Sequence, residues 1–187
     1  TFQKVTNGNH LTRVLKNIEL ACKAGLNVKI NVVSMRGIND DELFDFIDFS
    51  KRHQIEVRFL ELMRIGFACK SQDNQFISAD EMIAKIRTRF ELIRDTRALD
   101  STSFNYKTSC GAQIGFIASE SKAFCGACSR WRLSADGILR ACLLKDDGLS
   151  IKGMSKMQRE ELYYALLPMK PAMRPAEVHH QMNTIGG

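Results

Sequence analysis

The sequence predicts an α/β protein in which βα units build a parallel sheet, followed by a smaller α+β region. Three observations predict it. Helix-type and strand-type hydrophobic patterns alternate through residue 62 at the spacing of βα units. The two strand patterns are polar on one face, which a sheet covered on both sides does not allow. After about residue 65 the pattern breaks into short strand-like pieces separated by Gly, Ser and Asp.

Residues 9–25 place Leu11, Val14, Leu15, Ile18 and Cys22 on an i, i+3, i+4, i+7 grid, an amphipathic helix that Asn9 can cap and Gly25 can end. Residues 27–33 read as a strand, and residues 39–52 as a helix with Asn39 and Glu42 spaced as a capping box. Residues 55–62 read as a second strand. In the first strand Lys29 and Asn31 alternate with Val28, Ile30 and Val32; in the second Glu56 and Arg58 alternate with Ile55, Val57 and Phe59. An antiparallel sheet with one wet face would explain this. So would a barrel or half-barrel whose inner face lines a ligand pocket, and the intervening helices favour it.

Residues 64–77 read as a loop and residues 78–90 as a helix opened by a Ser78/Glu81 capping box. Beyond it, 113–118, 132–134 and 138–143 are strand-like, and Asp136-Gly137 between the last two is a hairpin signal. Residues 156–167 form a last helix, followed by Pro168, Pro171 and Pro175, which limit any further helix. A domain boundary is expected near residue 65, dividing the chain into 1–65 and 66–187.

The chain has 187 residues, 44% hydrophobic and 26% charged, enough for one large domain or two small ones. No apolar run reaches the roughly 18 residues of a membrane span, so no membrane partner is expected. The net charge of +6 favours anionic partners such as phosphates or nucleotides. It is dispersed, so a solvated basic surface explains it as well and nucleic acid is not favoured. The six cysteines lack the pattern of a secreted disulfide framework, and a reducing, cytoplasmic setting is expected.

The cysteines carry the chemistry. In F-C-G-A-C-S-R-W-R-L-S-A-D-G-I-L-R-A-C-L-L, Cys125 and Cys128 form a C-x-x-C knuckle, and the hairpin at Asp136-Gly137 returns Cys142 beside it. Three soft ligands suit zinc, with Cys110, His179 or His180 as a fourth, or an iron–sulfur cluster with one iron open. Spacing alone leaves the two open, with buried reduced cysteines as the plain alternative. Arg130 and Arg132 follow on alternate residues. In an extended segment both guanidiniums share a side, as a di- or triphosphate site would need, while Trp131 turns the other way into packing.

That segment, together with K-I-N-V-V-S-M-R-G-I-N-D-D-E-L, E-V-R-F-L-E-L-M and the terminal M-N-T-I-G-G, resembles the GTP 3',8-cyclases of molybdenum cofactor biosynthesis along essentially the whole chain. These are radical S-adenosylmethionine enzymes. The resemblance implies the C-terminal part of an incomplete TIM-like barrel (1–65), then a small α+β domain (66–187). It implies two 4Fe-4S clusters. The first cleaves S-adenosylmethionine; the second is held by three cysteines and binds the base of GTP through its open iron. By resemblance Cys125, Cys128 and Cys142 hold the second cluster, and Arg130, Trp131 and Arg132 fall where GTP binds. Lys29 matches a GTP-contacting lysine and Met63 a residue of the S-adenosylmethionine pocket. Arg58 faces the same cavity, and Gly186 and Gly187 match a tail inserted toward the active site. One departure is large: no C-x-x-x-C-x-x-C motif for the first cluster occurs, and Cys22, Cys69 and Cys110 are isolated. The sequence therefore reads as a C-terminal portion, expected to lack radical generation alone. A half-barrel is also expected to self-associate, as a homodimer or larger species.

Overall fold

A computed structural model describes residues 1–96, 101–175, 178 and 181. The chain divides into two compact units that interleave in sequence, residues 1–62 with 75–121, and residues 63–74 with 122–187.

The first unit opens with a short helix, α1 (Phe2–Thr6), too brief to leave a periodic signature. The helix expected over 9–25 is α2 (Leu11–Lys23). His10 rather than Asn9 precedes it, without a side-chain cap, while Gly25 ends it in the left-handed region at φ +74°. Then come β1 (Lys29–Ser34), α3 (Leu43–His53) and β2 (Glu56–Glu61). The capping box expected at Asn39 and Glu42 does not form. The Asn39 amide is taken by the turn after β1, accepting from Met35 N–H (2.7 Å) and donating to Val33 O (2.9 Å), so α3 starts later, behind Glu42. The segment expected as a loop over 64–77 holds a 3₁₀ turn, Gly66–Lys70, and a single helical turn, α4 (Gln72–Gln75). Pieces this short carry no readable period.

α5 (Ala79–Arg87) starts at the expected capping box, with Glu81 N–H donating to Ser78 Oγ and Ser78 N–H to Glu81 Oε2 (3.2 and 3.0 Å). β3 (Leu92–Arg94), β4 (Phe104–Thr108) and β5 (Gln113–Ile117) complete a five-stranded sheet in the order β1-β2-β5-β4-β3. β1, β2 and β5 are parallel, and β4 and β3 are antiparallel additions. The sheet is therefore mixed, and its first unit runs well past residue 65.

Period-two alternation sends Val32, Val57, Phe59, Ile114 and Phe116 to one face, where Leu43 and Ile47 of α3 and Met82, Ile83 and Ile86 of α5 bury them. Phe59 and Phe104 each lie 5.7 Å from the Phe116 ring. The opposite face keeps the polar residues.

In the second unit, β6 (Arg132–Leu133) and β7 (Ile138–Arg140) form the expected hairpin, with Gly137 at φ +81° in its turn, and β8 (Leu149–Ser150) adds a third strand. α6 (Lys156–Leu166) starts at a second capping box, Ser155 with Gln158. Its Leu162 and Leu166 bury against Leu139 and Ala141, with Trp131 and Met169 packed around them.

Candidate functional site

The parallel register places Lys29 beside Glu56 and Asn31 beside Arg58; β5 adds Gln113 and Gly115 to the same rows, and β4 sets Asn105 beside Gly115. The sequence-selected Lys29 and Arg58 meet on one carboxylate. Glu56 Oε2 pairs with Lys29 Nζ (3.0 Å), and Oε1 accepts from Arg58 Nε (2.5 Å) and Asn105 Nδ2 (3.2 Å). Burial favours neutral Glu56, but the bonds from Arg58 and Lys29 outweigh it and hold its pKa below the ordinary range. Gly115 makes room. A Cβ there would stand 2.7 Å from Asn105 Oδ1 and 3.3 Å from Arg58 Cγ. Arg58 is engaged through Nε, the side of its fork; among the described residues its two terminal nitrogens carry no hydrogen bond. A cavity of about 460 Å³ opens at the start of these strands, lined by Lys29, His53, Glu56 and Gln113. Glu56 was visible in the sequence only as one member of the polar alternation.

In the second unit Cys125 and Cys128 sit on a 3₁₀ turn closed by Cys128 N–H to Cys125 O (3.1 Å). All six cysteines are free and partly buried. Burial pushes the Cys125 thiol pKa up, and Cys142 and Cys128 push it further. For Cys128 burial also opposes ionisation, but the Arg130 backbone N–H and guanidinium, with help from Lys170, bring its pKa below the usual value. Arg130 Nη2 donates to Cys128 Sγ (3.4 Å), and Leu144 N–H donates to Cys142 Sγ (3.3 Å). N–H groups aimed at sulfur stabilise thiolates and are what orients metal-bound cysteines. Among the described residues no three His, Cys, Asp or Glu side chains close on a point for a single metal ion. The three thiols offer soft-ligand chemistry.

The flanking residues take distinct places. The Arg130 guanidinium lies 4.8 Å over the Phe124 ring, and Arg132 Nη1 donates to Trp131 O (3.3 Å). Arg132 Nε is buried and has no hydrogen-bond partner among the described residues. Trp131 packs edge-on against Tyr163 of α6 (5.8 Å), in keeping with its expected turn into the interior. Lys170, not singled out in the sequence, donates to Arg130 O (2.6 Å) and Ala141 O (3.0 Å). Met63 is partly buried just after β2, its carbonyl accepting from Ile65 N–H (2.9 Å). Cys110 lies in the first unit, in contact with Thr108 Oγ1 at 3.1 Å. Gly186, Gly187, His179 and His180 lie outside the described residues. Among the described residues no helix is long and apolar enough to cross a membrane.

Residues 55–174 match the family described as Molybdenum Cofactor Synthesis C. A Synechocystis sp. protein named GTP 3',8-cyclase is 54% identical over 187 residues, covering 100% of this chain and 57% of its own length. A protein of that name from Clostridium botulinum is 39% identical over 153 residues, covering 81% of this chain and 47% of its own. One from Staphylococcus aureus is 34% identical over 174 residues, covering 88% of this chain and 51% of its own. The chain spans about half the length of the curated relatives it matches.

Proposed function

The chain belongs to the Molybdenum Cofactor Synthesis C family, and from that premise we propose that it is the substrate-side portion of a GTP 3',8-cyclase. What supports this reading is the family match over residues 55–174 together with the N–H groups donated to the sulfurs of Cys128 and Cys142. Cys125, Cys128 and Cys142 could be the ligand set of a 4Fe-4S cluster. Bound there, such a cluster would supply an open coordination position at which a purine base can be held.

The chain's own residues then bind and orient. Arg130 stands against Cys128, and its guanidinium supports the thiolate form that a metal ligand needs. Arg132, whose buried Nε has no hydrogen-bond partner among the described residues, is assigned to GTP with Arg130. Trp131 braces the segment from the packed side. Lys29 and Arg58, set side by side by Glu56, are a cation pair suited to phosphate oxygens. By resemblance Met63 is assigned to the S-adenosylmethionine pocket, and Gly186 and Gly187 to a tail that reaches the active site. The polar face of β1 and β2 is assigned to the inside of an incomplete TIM-like barrel. Generation of a radical from S-adenosylmethionine is assigned to a C-x-x-x-C-x-x-C motif that these 187 residues do not contain, so the chain alone is expected to give no cyclised product. A reducing cytoplasm suits the free thiols.

The test is anaerobic reconstitution of this chain with ferrous iron and sulfide. Iron and sulfide should bind in near-equal amounts and be lost when all three cysteines become Ser. Stoichiometric zinc without sulfide would sink the cluster reading. Arg130→Ala and Arg132→Ala should each weaken GTP binding by about 1–3 kcal/mol, the range for hydrogen bonds to charged groups. Unchanged GTP affinity in both would make them surface charges.

A further inference from the structure

We propose that Lys170 is a positioning residue for the three-cysteine site, clamping together the two segments that carry Cys128 and Cys142. The inference rests on the cluster-binding reading above. Lys170 Nζ donates to Arg130 O at 2.6 Å and to Ala141 O at 3.0 Å. Arg130 lies two residues beyond Cys128, and Ala141 immediately precedes Cys142. The β6–β7 ladder includes the pair Arg132 and Arg140, so the ammonium bridges the same two segments just outside their ladder. It thereby fixes the separation of the segments at the point where they diverge toward the cysteines.

The ammonium is itself held in place. Lys170 follows the 3₁₀ turn Leu167–Met169, and its N–H donates to Leu167 O at 3.2 Å. Its Nζ stands 5.6 Å from the centre of the Trp131 ring, which packs against Tyr163 of α6. A lysine has three donors and no acceptor, and two of the three serve these carbonyls. Without the ammonium, two partly buried carbonyls on the ligand-bearing segments would lose their shared donor. The charge has a second consequence. A cation held two residues beyond Cys128 and on the residue before Cys142 offsets part of the negative charge there and so favours the reduced, more negative form of a cluster bound by these cysteines.

The test compares this chain with Lys170→Met and Lys170→Arg after anaerobic reconstitution with ferrous iron and sulfide. Three quantities are read: bound iron and sulfide, the rate of iron loss to a chelator, and the midpoint potential of the bound cluster. Lys170→Met should lose iron about tenfold faster, the scale of effects seen when supporting contacts around metal ligands are removed, and its potential should become more negative. Lys170→Arg keeps the charge and should keep the potential. If Lys170→Met fails to fold, Lys170→Gln, which keeps a donor but no charge, should show the same negative shift in potential. Uncharged variants that match the parent in iron loss and potential overturn the positioning role. A parent chain that takes up no iron and sulfide fails earlier, and at a different point, because the cluster reading itself is then wrong.

Discussion

At Glu56 one carboxylate serves two cations on neighbouring strands, and its ionisation ties this network to pH. Burial opposes the charged form, yet Arg58 and then Lys29 bring the pKa below the ordinary glutamate value. A depressed folded pKa means that the stabilisation is fully present above the unfolded value of about 4.3 and is lost as pH falls through the lower folded value. Glu81, held by Arg36, and Asp136, held by the Ser134 hydroxyl, shift in the same direction. Glu56→Gln should therefore remove part, not all, of the acid sensitivity. In urea titrations between about pH 5 and pH 3 the free energy of unfolding should fall less steeply in the variant than in the parent; coincident slopes would mean the network contributes nothing to folding. This scale was half legible in the sequence. Lys29 and Arg58 stood out because they break the apolar alternation, and the cysteine trio because C-x-x-C and Asp-Gly have definite spacing. The role of Glu56 needed the parallel register, which sets residues 27 apart side by side. Lys170 is 40 residues from the carbonyl of Arg130, and no local pattern connects them.

Glu61 shows how elements rather than residues are joined. It lies at the end of β2, is 1% exposed, and accepts from Ala79 N–H at the start of α5 (2.8 Å). It also accepts from Glu120 N–H (2.8 Å), Ser121 N–H (2.9 Å) and the Ser121 hydroxyl, just beyond β5. One buried carboxylate thus fastens a strand end, a helix start and a turn, with every partner a donor. Glu61→Gln would turn one acceptor oxygen into an NH₂ group facing those donors. The expected cost is about 2–3 kcal/mol, the scale of hydrogen bonds to a charge and of buried donors left unsatisfied, read as a lower urea midpoint with an unchanged m-value. Helix starts show why the sequence succeeds in one place and not in another. Ser78 and Glu81 have the capping-box spacing and form the box. Asn39 and Glu42 have the same spacing, but the turn after β1 takes the Asn39 amide, and Glu42 Oε1 accepts instead from the Thr1 hydroxyl (2.5 Å). The spelling is local, whereas the competition for a side chain is not.

For the molecule as a whole, alternation of helix and strand foretold the parallel β1–β2 pair, and the polar strand face foretold that one side of the sheet stays uncovered by α3 and α5. The antiparallel strands β3 and β4 were not foreseen, because three- and five-residue strands between polar turns leave too short a period. The uncovered surfaces have a consequence of their own. The grid that marked α2 as amphipathic is not buried: Leu11 is 44% exposed, Val14 39% and Leu15 37%, and no residue of the helix is fully buried. Among the described residues β1 pairs only with β2, so its other edge offers unpaired backbone donors and acceptors, beside an exposed Val33. An apolar stripe and an open strand edge in one unit are the two features through which copies of a chain associate. These 187 residues should therefore sediment above the 21.2 kDa of a monomer at micromolar concentration. Leu11→Glu with Leu15→Lys places an i, i+4 ion pair across the stripe, so it removes the apolar contact while supporting the helix. The double variant should move toward monomer mass in sedimentation velocity with its far-UV circular dichroism unchanged. If association persists in that variant, the β1 edge is the contact, and Val33→Pro, which removes a backbone donor from the edge strand, should dissolve it. A parent chain that already sediments as a monomer would show that neither surface is sticky enough to matter.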